Sequence, residues 1–323
     1  MLMSQTVRHL AIALTIAGFA GLVYAADVNI PRPADEIEQE LATAPFVITA
    51  AEISRPKAKG DITLKAEVSF AGAPPYRVKL RRAEPGAEDF NNRPSYDLAA
   101  YELQKLFLDP AEYVVPPTAL RMMPLAELRP HSPEAKPTFK GSDDVLVVLQ
   151  YWLNEVKVIA DVYNPERFAA DPKYARHIGQ LNVLTFLIEH GDSNVGNFLI
   201  SRAETGPRVF SIDNGVAFEF NESDRGQLWM KMRVDRLPAD TVQRLRRITL
   251  EEMHGRLGVL AQWQLKDGRW VAMAPGENLE PVRGVRKEHD VVQLGLRKAD
   301  IDQVGRQLGR LLKQVDEGQI DTF

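Results

Sequence analysis

The hydrophobic pattern changes its period about halfway along the chain, and this change restricts the fold more than any other feature. Short apolar or alternating runs predict strands in the first half: Phe46–Ile53, Asp61–Phe70, Tyr76–Arg81 and part of 114–123. Wider spacing predicts helices over Ser95–Leu108, Lys173–Glu189, Ala239–Leu257 and Lys298–Val315. Val145–Leu153 fits a buried strand or the start of a helix, and Val259–Ala274 fits a hairpin. The order favours an α+β fold, with a strand-rich part followed by a mainly helical part.

Residues 1–25 have the pattern of a secretory signal peptide. Arg8 precedes the uncharged run Leu10–Tyr24, and small residues stand before a cleavage site after Ala25. The run has about 15 residues, which is short for a bilayer span of roughly 20. An uncleaved N-terminal anchor is the alternative. Either interpretation predicts export of the remaining chain, to the periplasm or as a secreted protein, with no stable membrane span after cleavage.

Composition excludes several classes of protein. The 323 residues contain no cysteine, so disulfides and metal sites built on thiolates are excluded. The formal net charge of −4 argues against a nucleic-acid partner, because such proteins usually carry a basic excess. The length fits two domains or one two-lobed domain. We expect a strand-rich part over residues 26–150, and over 151–323 a helical part that includes the hairpin.

The polar residues with the clearest chemical pattern lie between residues 190 and 215. Asp192 follows a predicted helix and lies in a loop, where a carboxylate can accept the proton of a hydroxyl group. Asn197 begins a short strand, and the returning strand of a predicted hairpin brings Asp213 alongside it. Their oxygens suit Mg²⁺ together with substrate phosphates. Positioning, metal binding and charge neutralisation are what phosphoryl transfer requires.

The order His-x-Asp-x-x-x-x-Asn, followed by a hairpin and Asp-x-Gly, resembles the catalytic and metal-binding segments of the protein-kinase-like superfamily. The segment from His190 to Asn197 is most similar to aminoglycoside and choline phosphotransferases. The segment Asp213 to Gly215 is similar to secretory-pathway kinases. The strong resemblance ends near Phe218.

This resemblance implies a two-lobed protein-kinase-like fold, with a small antiparallel sheet lobe and a mainly helical lobe. It implies transfer of the γ-phosphoryl group of ATP, with Mg²⁺ or alternatively Mn²⁺, to a hydroxyl group of a protein or small molecule. Asp192 would be the catalytic base and His190 an orienting residue. Asn197 and Asp213 would be the metal ligands.

Two residues in the first half fit the same family. Lys79 lies on the third predicted strand, where the resemblance implies a phosphate-binding lysine. On the following helix, Glu102 shares a stripe with Leu98 and Leu106, spaced four residues apart. A carboxylate on an apolar stripe needs a partner, because burying it alone is costly. We therefore expect an ion pair between Lys79 and Glu102, with Lys65 and Glu112 as the alternative residues.

The loop 54–60 is the candidate cover for the nucleotide phosphates. It carries Lys57, Lys59 and Gly60 but lacks the Gly-x-Gly-x-x-Gly pattern of protein kinases. The lysine that protein kinases carry two residues after the catalytic aspartate is here Asn194. No Ala-Pro-Glu segment follows Asp213. These departures bear on the type of acceptor more than on the fold.

Two alternative functions remain. An exported pseudokinase would use the same fold for binding without turnover. A GDS-type esterase would use Ser193, in the segment Gly191–Asn194, as its nucleophile. Such a serine needs a histidine base, and neither His254 nor His289 follows an aspartate at the three-residue spacing that those esterases show.

Overall fold

The computed structural model describes residues 27–55, 63–88, 93–204, 206–218 and 227–323. Its first sheet is built from the strands β1 (Phe46–Arg55), β2 (Thr63–Phe70), β3 (Tyr76–Arg82), β4 (Thr118–Pro124) and β5 (Asp144–Tyr151). They pair antiparallel in the order β1-β2-β3-β5-β4. The strands predicted from sequence are confirmed, and the apolar run at 145–153 forms a strand rather than a helix.

Helices cover both faces of this sheet and form much of the second half of the chain. Within the described residues they are α1 (Ala34–Thr43), α2 (Pro94–Gln104), α3 (Leu125–Leu128), α4 (Pro165–Ala170), α5 (Pro172–Leu187), α6 (Ala239–Leu245), α7 (Leu250–Leu257) and α8 (Lys298–Asp316). The chain is thus a mixed α+β protein whose main sheets are antiparallel.

Alternation along β3 sends its side chains to two different surroundings. Val78 and Leu80 join a core under α1, together with Ile37 and Leu41 of that helix. The intervening Lys79 and Arg81 point to the other face of the sheet, because successive strand residues alternate in direction. That face looks toward α2 and the second half of the chain. One strand therefore provides both a core and two buried cations.

The remaining strands form three smaller sheets. Their bounds are β6 (Val156–Lys157), β7 (Phe198–Ser201), β8 (Val209–Ser211), β9 (Arg236–Leu237), β10 (Ala261–Lys266), β11 (Arg269–Met273), β12 (Val285–Glu288), β13 (Val291–Leu294) and β14 (Asp321–Thr322). The predicted hairpin is confirmed as β10–β11, but it belongs to a four-stranded sheet ordered β11-β10-β13-β12. Strand β7 lies between β6 and β8, and β9 pairs in parallel with β14.

Two boundaries differ from the sequence predictions. The segment 27–41, where the sequence patterns above predict no helix, contains most of α1, which forms because Ile37 and Leu41 bury one side of it under the sheet. The helix expected over 239–257 is two helices. The second starts at Thr249, whose hydroxyl accepts a hydrogen bond from the backbone N–H of Glu252 at 3.1 Å and caps the new helix. Among the described residues, no helix is long and apolar enough to cross a membrane.

Candidate active site

The β7–β8 hairpin brings Asn197 and Asp213 next to each other, as the sequence predicts. Phe198 pairs with Ser211, and the backbone N–H of Ile212 donates to the carbonyl of Asn197 at 2.9 Å. Asp213 follows directly, with a left-handed backbone φ of +60°. The hydroxyl of Ser211 donates to the side-chain oxygen of buried Asn214 at 2.8 Å, which fixes the turn around Asp213.

A loop of residues 190–197, the Asp192 loop, connects α5 to this hairpin and is held largely by its own hydrogen bonds. The side-chain N–H₂ of Asn197 donates to the carbonyl of Asp192 at 2.8 Å. The hydroxyl of Ser193 donates to the carbonyl of His190 at 2.8 Å, and the amide of Asn194 donates to the Asp192 carboxylate. Because Asn197 uses its nitrogen for the loop, its side-chain oxygen remains the group suited to a metal ion.

His190 lies at the base of the Asp192 loop and is fully buried. Its ring packs against that of Phe198 at 5.3 Å between centroids. Burial lowers the pKa of His190 to about 4, so the ring is neutral at physiological pH. A fully buried ring does not reach a substrate. Its place beneath the Asp192 loop fits the orienting role that the resemblance implies, and that role stays a prediction.

Lys79 reaches the same place from the first sheet. Its Nζ lies 3.1 Å from Oδ1 of Asp213, although the two residues are 134 positions apart in sequence. Nη1 of Arg81, two residues along the same strand face, lies 3.3 Å from the same oxygen. The sequence predictions include Lys79 in the site, whereas Arg81 is a residue that they miss.

The expected ion pair between Lys79 and Glu102 does not form. The Glu102 carboxylate accepts from Lys105 at 2.5 Å and from Arg256 of α7 at 2.8 Å. The α2 carboxylate that reaches β3 is Asp97, which forms an ion pair with Arg81. Glu102 thus links α2 to α7, and the predicted ion pair with Lys79 is wrong.

The predicted partner of Lys79 is wrong because α2 has more than one buried stripe. Nearly all of α2 is buried, so more than one stripe satisfies the sequence pattern. Asp97, Ala100, Tyr101 and Gln104 are each fully buried, at the i, i+3, i+4, i+7 spacing of a core-facing helix side. Glu102 stands on the adjacent, more exposed side. The signal that could have located Asp97 is this second stripe, together with Arg81 at two residues from Lys79.

Gly215 lets the backbone of the Asp213 segment approach Arg81 closely. A Cβ placed at Gly215 would lie 2.7 Å from Nη2 and 2.9 Å from Nη1 of Arg81. Any other residue at this position would displace the guanidinium group or the turn. We call Lys79, Arg81, Asp97 and Asp213 the buried charge cluster. It joins β3, α2 and the turn after β8.

Three of the predicted phosphate-covering residues, Lys57, Lys59 and Gly60, lie outside the described residues, as does the predicted signal peptide. The described part of the chain contains no group of three or more His, Cys, Asp or Glu side chains that could hold a metal ion. The predicted metal ligands, Asn197 and Asp213, include only one side chain of those types, so this finding does not test them.

A scan against protein-family models and a search of curated proteins each found no match to this chain.

Proposed function

We propose that this chain is an exported, two-lobed kinase-like phosphotransferase that transfers the γ-phosphoryl group of ATP to a hydroxyl group. The observation that carries the proposal is the meeting of Lys79 with Asp213 at 3.1 Å. It joins the strand-rich and helical halves of the chain at the residues for which the motif implies phosphate and metal binding. The acceptor is a hydroxyl of a protein or a small molecule.

The donor set fits a divalent cation. Asp213 supplies a carboxylate whose side chain is 30% exposed, and Asn197 supplies an amide oxygen on the neighbouring strand end. Mg²⁺, or Mn²⁺ in its place, would neutralise phosphate charge when bound there. Lys79 would bind the phosphates as a second positive charge. Asp192, in its own hydrogen-bonded loop, would orient the acceptor hydroxyl and take its proton.

Export is part of the proposal and rests on the signal-peptide pattern of residues 1–25, after which Asp27 is the first described residue. This residue lies two positions after the predicted cleavage site and forms an ion pair with Arg208, on the segment that leads into β8. Burial lowers the pKa of Arg208, and the guanidinium also donates to the carbonyl of Tyr113 at 2.6 Å. The chain directly after the predicted cleavage site is thus tied to the segment that leads into β8.

A second candidate function is ATP binding without turnover. It is favoured by the two cations that already lie against Oδ1 of Asp213, because they neutralise the carboxylate on which the metal depends. The esterase alternative receives no such support. The Ser193 hydroxyl donates to the carbonyl of His190 instead of to a histidine base.

Thermal unfolding of the mature protein tests the proposal. ATP with Mg²⁺ is expected to raise the melting temperature, because a ligand that binds only the folded state stabilises it. The rise should disappear in Asp213→Ala and without metal, whereas Ser193→Ala should retain it. No shift with any nucleotide and metal would contradict the proposal. A metal-dependent shift without release of ADP would select binding without turnover.

A further inference from the structure

Arg81 is a buried cation shared between two carboxylates. Its side chain is 1% exposed and forms an ion pair with Asp97, whose side chain is equally buried. On its other side, Nη1 lies 3.3 Å from Oδ1 of Asp213. The backbone at Gly215 closes over the guanidinium group, as the absence of space for a Cβ indicates. Arg81 is therefore held in place from α2 and from the turn after β8.

Stability alone does not explain why the fold buries this ion pair. Desolvation of two charges commonly exceeds their attraction, so well-packed apolar residues of similar volume are often as stabilising or more so. An ordinary core position would serve helix packing equally well. The position of the pair against Asp213 indicates a role in the charge of the site.

We propose that Asp97 is a positioning residue that preserves the affinity of Asp213 for a divalent cation by neutralising Arg81. This inference rests on the proposed function, because it assumes that Asp213 binds metal. With Lys79, Arg81, Asp97 and Asp213 ionised, the buried charge cluster has a net charge of zero. Removing the negative charge of Asp97 leaves a net positive cluster, which repels a cation strongly where water screens little.

The same change acts on Asp213 directly. A guanidinium group without Asp97 as partner would concentrate its hydrogen bonds and charge on the nearest remaining carboxylate, which is Asp213. Metal would then compete with Arg81 for that carboxylate. Asp97 does not touch the predicted metal position, since it lies beyond Arg81 in the first turn of α2. Its effect passes through the arginine.

Titration of the nucleotide-free mature protein with Mn²⁺, followed by the electron paramagnetic resonance signal of free Mn²⁺, tests this role. Asp97→Asn, which removes the charge but keeps the shape, should weaken Mn²⁺ binding about tenfold or more. The double variant Arg81→Gln with Asp97→Asn removes both charges and should recover binding to within about threefold of the wild-type protein. Asp213→Asn is the control that should abolish binding.

The outcomes separate this inference from the proposed function. Absence of Mn²⁺ binding by the wild-type protein would overturn the proposed function and this inference with it. Binding by the wild-type protein that is lost in Asp213→Asn but unchanged in Asp97→Asn would overturn this inference alone. If Asp97→Asn does not fold, the double variant decides: near-wild-type binding supports the role of Asp97, and loss of binding in a folded double variant overturns it.

Discussion

The fold holds the two halves of the proposed site by different means. The buried charge cluster is fixed from three elements far apart in sequence, through ion pairs that centre on the nearly inaccessible side chain of Arg81. The Asp192 loop is fixed mainly by hydrogen bonds between residues two to five positions apart. The predicted metal-binding part of the site, around Asp213, therefore depends on the folding of the whole chain. The part that holds the predicted catalytic base depends on one local loop. Substitutions in the two halves should therefore separate stability from catalysis.

The largest expected effect is a loss of turnover when Asp192 is replaced. Asp192→Asn should reduce phosphoryl transfer by about 10²- to 10⁴-fold, because an amide cannot accept the hydroxyl proton. The free energy of unfolding should change by less than about 1 kcal/mol, since the side chain is partly exposed. ADP release in Mg²⁺ and urea unfolding measure the two quantities. Full activity in the variant would remove the assigned role of base.

The largest expected effect on stability comes from the buried charge cluster. Arg81→Gln leaves the Asp97 carboxylate buried without its cation, which should cost about 3–5 kcal/mol of unfolding free energy. Adding Asp97→Asn should recover part of this loss, because no buried charge then lacks a partner. Urea unfolding of both variants measures the difference. A double variant less stable than Arg81→Gln would show that the two residues do not act as a pair.

His190, which is buried beneath the Asp192 loop, should make the stability of the protein depend on pH. Its pKa is about 4 in the folded protein, against the unperturbed 6.5 expected for the unfolded chain. Between these values the unfolded chain binds the proton better, so stability falls as pH decreases from 6.5 to 4. The expected loss is about 2–3 kcal/mol. His177, whose pKa is also about 4, adds a similar loss.

His190→Asn should therefore reduce the difference in unfolding free energy between pH 7.5 and 4.5 by about 2–3 kcal/mol. His177→Asn is the matched variant, because it should change the same difference while leaving the Asp192 loop intact. An unchanged pH profile in His190→Asn would mean that the ring is not buried in its neutral form.

The smallest expected effect belongs to Glu102, which lies outside both halves of the site. Its ion pairs are with Lys105 and with the 39%-exposed Arg256. Partly exposed pairs contribute little, so Glu102→Gln should destabilise the protein by about 1 kcal/mol or less. The melting shift given by ATP and Mg²⁺ should remain. Its loss in a folded Glu102→Gln protein would restore the role that the sequence pattern suggested.

Much of this architecture could be predicted from local sequence patterns. Strands β1 to β4 of the first sheet, the helix before His190 and the β7–β8 hairpin follow from alternation and helical spacing, whereas the apolar run of β5 also fits the start of a helix. That hairpin alone predicts that Asn197 and Asp213 lie close to each other. Strict alternation from Tyr76 to Arg81 predicts the strand that carries Lys79, and the resemblance implies its role in phosphate binding.

The α2 carboxylate that pairs with a cation of β3 could not be predicted, because its identity depends on how α2 is rotated against the sheet. Local spacing supports a stripe through Glu102 as well as one through Asp97, and only tertiary packing selects between them. The addition of β12 and β13 to the hairpin is likewise set by distant contacts, whereas the new helix after Leu245 has a local cap at Thr249. Which charged residues from distant parts of the chain pair with each other is the part that sequence patterns leave open.

The most direct test of the central claim is a crystal structure of the mature protein with Mn²⁺ and a non-hydrolysable ATP analogue. We expect an anomalous Mn²⁺ peak within bonding distance of the Asp213 carboxylate and the Asn197 side-chain oxygen, with phosphate oxygens beside Lys79. The Arg81–Asp97 pair should remain intact. A nucleotide bound elsewhere, or a metal peak that does not contact Asp213, would contradict the account.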